Sequence, residues 1–173
     1  MEAGDRLPPP DGVERTPVVM MCGLPGSGKS TYAQALERRG YTRLSIDEAV
    51  WARIGRDAAE LDPEEYDHLK SAVEQELWGE LIRLMTAGQP VVIDYSFWSR
   101  ATRDRYKAVI EQHGCRWQLI RLKADRETLR RRLAHRNRQT GANSVTVSDE
   151  LLERYAAAFE EPVGEGEHVV VQE

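Results

Sequence analysis

The sequence predicts an α/β domain whose helices cover a largely parallel sheet, and three observations carry that prediction. Short apolar runs alternate with helical periodicities from Pro17 to Val171, the order of elements that packs as layers with right-handed crossovers. A glycine-rich loop joins the first apolar run to the first helix. The 173 residues leave room for one core, since single domains typically run to about 100–150 residues.

In chain order, Pro17–Cys22 is a continuous apolar strand, and Ser30–Arg39 reads as a helix closed by Gly40. Tyr41–Ile46 follows as a second strand, with Asp47 placed to cap a helix that runs to about Ile54 and ends at Gly55. Leu69, Val73, Leu77, Leu81 and Leu84 recur at spacings of three and four within a long helix from Pro63 to Ala87, Pro63 suiting its first turn and Gly88 its end. Val91–Asp94 is a buried strand and Arg100–His113 a helix ended by Gly114. Arg116–Leu122 is a fourth strand, Arg126–Arg138 a basic helix, Gly141–Val147 a polar loop, Asp149–Phe159 a helix capped by Ser148, and Val169–Val171 the last strand.

Composition narrows the classes of function. Hydrophobic residues at 40% and charged residues at 31% describe an ordinary globular chain and exclude wholesale disorder. No apolar stretch approaches the roughly 20 residues of a membrane span, so no membrane partner is expected. Met1–Thr16, rich in Pro, Gly and charge, reads as a flexible leader before a single domain over residues 17–173. Cys22 and Cys115 cannot form a disulfide framework in a chain of this size, which points to a reducing, cytoplasmic setting. The four histidines show no metal spacing. Net charge is -5, yet Arg121–Arg138 holds eight basic residues against two acidic ones, leaving -11 for the rest. Such a distribution suits a focused site for a small anion better than a track for nucleic acid.

The motif that carries chemistry is Gly23-Leu-Pro-Gly26-Ser27-Gly28-Lys29-Ser30, a phosphate-loop pattern standing between a strand and a helix. Its glycines let successive N–H groups converge on one point, and the helix start behind them adds positive potential. Lys29 can reach the β- and γ-phosphates, Ser30 is the expected Mg²⁺ ligand, and Thr31 can reach the α-phosphate. Asp47 would share the sheet edge with this loop and could accept the proton of an attacking hydroxyl, or only cap its helix. Asp94, directly after a core strand, could hold Mg²⁺ through water, orient an acceptor, or cap a turn. On the basic helix, with Leu129 and Leu133 marking the apolar stripe, Arg136 lies about 20° and Arg132 about 60° from Leu129. Both guanidiniums can therefore face inward and neutralise charge on a transferring phosphoryl group, the alternative being a solvated basic surface. Trp51, Tyr95 and Trp98 are candidates to line an acceptor pocket. Arg103, with Arg100 beside it, is a candidate to hold an acceptor anion.

Phosphate loop, Asp47, Asp94 and the Arg132-x-x-x-Arg136-Asn137 helix stand in an order that resembles the small P-loop kinases grouped as AAA_33-type or "predicted kinase" proteins, over about Pro17 to Val171. That resemblance implies a P-loop NTPase fold of three α/β/α layers, a five-stranded parallel sheet and a nucleoside-monophosphate-kinase-like core with a helical lid over about residues 125–147. It implies ATP and Mg²⁺ as cofactors, Asp47 as general base, Arg132 and Arg136 as lid arginines, and Asp94 with Arg103 on the acceptor side. The expected activity is transfer of the γ-phosphoryl group to a hydroxyl of a small molecule by a monomer or homodimer. Two other readings stand beside it: a 5′-hydroxyl kinase of RNA or DNA ends, and an ATP-binding regulator without an acceptor. Polynucleotide kinases commonly carry Arg three residues after the base Asp, where this chain has Val50, which ranks nucleic acid lower.

Overall fold

A computed structural model describes residues 15–172. Apart from Arg15 and Thr16, the leader read from the sequence lies outside the described residues. Strand β1 (Pro17–Cys22) is the centre of a five-stranded sheet ordered β2-β3-β1-β4-β5, with β2 Thr42–Leu44, β3 Val91–Ile93, β4 Arg116–Lys123 and β5 Glu167–Val171. Every neighbouring pair is parallel, Val19 standing opposite Val92 on one side and Gln118 on the other.

The period-two alternation of β1 divides the core in two. Val18, Met20 and Cys22 turn toward α3 (Pro63–Thr86) and α4 (Arg100–Gln112), where they meet Leu81, Leu84, Tyr106 and Ile110. Val19 and Met21 turn the other way, to Ala33, Tyr32 and Leu36 of α1 (Lys29–Glu37). The result is the expected three-layer α/β/α sandwich. Two smaller clusters finish the carboxyl edge of the sheet: Leu129 and Leu133 of α5 (Arg126–Arg136) with Leu152 of α6 (Asp149–Ala158), and Val50 of α2 (Ile46–Ile54) with Val73 of α3 and a single 3-10 turn at Ala58–Glu60. After β1 the chain moves out to β2, whereas after β3 it crosses to β4. A crevice therefore opens at the carboxyl ends of β1 and β3, the place where open α/β sheets bind ligands.

One local reading is corrected. The second strand spans only Thr42–Leu44: the Tyr41 N–H still bonds back to the Leu36 carbonyl at 3.2 Å and closes the turn after α1, and α2 follows directly behind Leu44. Ser45, in extended conformation, caps α2 by accepting the Glu48 N–H at 3.2 Å. Ser caps as well as Asp does. Asp47 thus neither ends a strand nor caps a helix; it sits in the first turn of α2 with its carboxylate free for other work. Among the described residues no helix is long and apolar enough to cross a membrane.

Candidate active site

Of the six α-helices among the described residues, five begin with a side chain that accepts a first-turn N–H: Ser45, Asp62, Ser99, Asp125 and Ser148. Helix α1 differs. Gly28 precedes it in the left-handed region at φ 95°, offers no side chain, and is followed by a first turn without an acid. The N–H groups at that end are left for an anion from outside the chain. Gly26 is also left-handed, at φ 83°, and a Cβ there would stand 3.1 Å from the Leu133 side chain and 3.2 Å from the Leu129 carbonyl. Helix α5 is seated directly on the loop. The Ser27 hydroxyl is buried with no hydrogen-bond partner among the described residues, and a buried hydroxyl normally has one. The Lys29 ammonium donates to the Leu24 carbonyl at 2.9 Å and ties the loop across. Burial pulls its pKa down to about 8, against the opposing charges of Asp94 and Asp47. Gly23, Ser30 and Thr31 line the same cavity.

That cavity has a volume of about 1590 Å³, more than the roughly 300–1,000 Å³ that one small ligand usually fills. Asp47 projects into it from α2. Its carboxylate meets solvent inside the cavity while walls surround it on most sides. This desolvation, with the charge of Asp94, raises its pKa above the ordinary Asp value, and Lys29 and Arg136 pull the other way. Arg136 lines the wall from α5, donating to the Val145 carbonyl at 3.0 Å, while its Nε is buried without a partner among the described residues. Desolvation lowers its pKa, with Asp47 and Asp57 opposing. Arg132 reaches over the loop to the Gly26 carbonyl at 3.4 Å. Lys29, Asp47, Arg132 and Arg136, called from three separate stretches of sequence, are brought to one cavity.

Asp94 lines the floor, yet its Oδ2 already accepts from Arg43 Nε at 2.9 Å and Nη2 at 2.6 Å. Arg43, whose side chain is 1% exposed, also reaches Glu48 at 2.5 Å and the Asn143 side-chain oxygen at 2.7 Å. One guanidinium so joins two strands, α2 and the loop after α5. Asp57 holds the same loop by accepting from the Thr146 N–H at 3.1 Å. Arg43, Glu48 and Asn143 were not legible in advance.

The acceptor-side candidates divide. Tyr95 and Trp98 line the cavity; Trp51, on α2, does not. Arg103 is corrected outright. It is fully buried, pairs with both oxygens of Glu165 at 2.8 and 2.9 Å, and donates to the Phe97 carbonyl at 2.7 Å. With its donors so engaged it pins the fold and has no reach to a ligand. What it pins is informative. Phe97 holds φ 47°, a left-handed conformation uncommon for a bulky residue and strained by about 1–3 kcal/mol, and the Cys22 thiol also points to its carbonyl, at 3.5 Å. Burial raises that thiol's pKa to about 11. Missed in advance were Tyr66, Lys70, Glu74 and Trp78, which face the cavity at four-residue spacing on α3, together with Tyr106 and Tyr155. The four-residue spacing on α3 is present in the sequence, beside the apolar stripe of Leu69, Val73 and Leu77.

Residues 18–162 match AAA_33, an AAA domain family. The chain belongs to that family. This AAA_33 protein is similar to the probable adenylyl-sulfate kinase of Aeropyrum pernix, 31% identical over 128 residues that make up 69% of this chain and 66% of the relative. It spans less than two thirds of the curated relatives it matches, down to 44% for a UPF0200 protein of Pyrobaculum aerophilum. In fold it is similar to a candidate kinase of Chloroflexus aurantiacus, with a TM-score of 0.72, 20% identity and coverage of 91% and 89% of the two chains. A gluconokinase of Sinorhizobium meliloti follows at TM-score 0.62, 19% identity and coverage of 92% and 84%. The AAA_33 chain thus has the P-loop kinase fold.

Proposed function

We propose that the protein is an ATP- and Mg²⁺-dependent kinase that transfers the γ-phosphoryl group to a hydroxyl of a small-molecule acceptor, with Asp47 as the general base. The observation that carries this is the uncapped start of α1 facing a free carboxylate, Asp47, across one cavity large enough for two substrates. The loop amides, Lys29 and the Ser27 hydroxyl suit a triphosphate. Asp47 takes the proton as the acceptor oxygen bonds to the γ-phosphorus and the bond to the β-bridging oxygen breaks, releasing ADP. Arg132 and Arg136 offset the charge on the group in flight.

The donor set fits Mg²⁺. No group of three or more His, Cys, Asp or Glu that could hold a metal occurs among the described residues, and this ion commonly keeps its waters and takes few protein ligands beside substrate phosphates. Ser30 would hold it, and when bound it would offset phosphate charge. Among the described residues the acceptor half of the cavity offers Lys70 and Arg105 as its cations, fewer than the row that a polynucleotide end calls for, which favours a small molecule. The similarity to an adenylyl-sulfate kinase and a gluconokinase supports phosphoryl transfer to an alcohol.

Asp47→Asn tests the reading. Turnover should fall by about 10²–10⁴-fold with ATP affinity nearly unchanged. In the parent, kcat/KM should decline as pH drops through the raised Asp47 pKa, because only the ionised carboxylate accepts a proton, and the variant should lose that limb. Full activity in Asp47→Asn refutes the base assignment.

A further inference from the structure

The acceptor half of the cavity has a chemistry of its own. Three elements build it: α3 with its stripe of Tyr66, Lys70, Glu74 and Trp78, the strained segment Tyr95–Trp98, and α6 with Tyr155. Trp98 at 48% and Tyr155 at 43% are the exposed large aromatics of the described residues, and both line this one cavity. Exposed rings converging on a cleft lose water only when something flat covers them. Tyr95, Phe97 and Tyr106 also line the cavity and pack on one another with centroids 5.0 to 6.0 Å apart, Tyr106 edge-on to both and the Tyr95 and Phe97 rings tilted at 31°.

The charges here are unlike those at the phosphate loop. Asp47, Asp67 and Glu74 face the cavity. Two cations stand beside them: Lys70 lies 3.8 Å from Glu74, and the Arg105 guanidinium stacks on Trp78 at 4.3 Å. Two buried arginines, Arg43 and Arg103, are held by Asp94 and Glu165. With three acids against Lys70 and Arg105, a carboxylate or phosphate on the acceptor would meet a net negative charge among the described residues, whereas an ammonium group would meet that charge and the exposed ring faces of Trp98 and Tyr155, which attract cations.

We infer that the acceptor is an alcohol with a flat apolar body whose remaining substituents are neutral or cationic, seated against Trp98 and Tyr155 with its hydroxyl toward Asp47. This rests on the kinase reading above for the direction of the hydroxyl; the discrimination by charge belongs to the pocket itself.

The test separates the two. Three alcohols sharing a 3-phenylpropan-1-ol frame serve as probes on the full chain: 2-amino-3-phenylpropan-1-ol (cationic), 3-phenylpropan-1-ol (neutral) and 2-benzyl-3-hydroxypropanoate (anionic), with gluconate as an anionic probe without a ring. Binding is read by calorimetry and tryptophan fluorescence, with and without a non-hydrolysable ATP analogue, and product by mass shift with ATP. Affinity should fall by at least about tenfold from the cationic to the anionic aryl probe, with gluconate weakest. Glu74→Gln should narrow the gap between cationic and neutral probes to less than about threefold, and Trp98→Phe should keep the order. Equal or tighter binding of either anionic probe overturns the inference, as does failure of all three aryl probes to bind. Binding in the expected order without any phosphorylated product supports the pocket's chemistry and overturns the kinase reading instead.

Discussion

The two halves of the cavity are made by different means. At the phosphate-loop end the lining is main chain: left-handed glycines, a helix start without a side-chain cap, and one lysine folded back onto the loop. At the proposed acceptor end it is side chain, gathered from α3, α6 and a segment whose strain is held by a buried arginine. Backbone geometry allows little variation without loss of function, whereas rings and carboxylates on helix faces can be exchanged one at a time. Shared phosphate chemistry beside a private acceptor chemistry is what such a division permits.

Substitutions should respect that boundary. The largest effect belongs to Lys29→Ala, which should abolish measurable turnover and weaken ATP binding while leaving acceptor-probe affinity alone; coupled loss of both by calorimetry would show that the halves are not separable. Next comes Arg103→Ala. Removing one partner of a buried pair leaves Glu165 uncompensated and should lower stability by about 3–5 kcal/mol in urea unfolding. Hydrogen bonds from Arg103 hold the Glu165 carboxyl below its ordinary pKa, so the stability this pair contributes is present above that ordinary value and fades as pH falls through the lowered one. Smallest is Trp98→Ala. It should raise acceptor KM by about fivefold, equivalent to about 1 kcal/mol of ring packing, with ATP KM unchanged; an equal rise in both would move Trp98 out of the acceptor end.

The same division governs what could be read from the sequence. The phosphate loop was legible because its requirements are local: glycines, a lysine and a strand–helix context within fourteen residues of Pro17. Arg132 and Arg136 followed from helical angle, and the order of strands from alternating apolar runs. Asp47 was found but misplaced, because a three-residue strand with Ser45 behind it offers two equally good caps. Arg103 was misread because its partner, Glu165, lies 62 positions away. Arg43 escaped for the same reason, its contacts to Asp94 and Asn143 spanning 51 and 100 residues. Long-range ion pairs leave no periodic trace, so the interior wiring of the acceptor end appears only once the chain is folded.

Arg43 also sets a limit on how far this protein can be dissected residue by residue. A single guanidinium serves Asp94, Glu48 and Asn143 together, so deleting any one of those three leaves the others to rearrange around an intact charge. Thermodynamic cycles drawn through this node should close with coupling terms comparable to the single losses. An evolving relative would then have to replace the four as a set or keep them all.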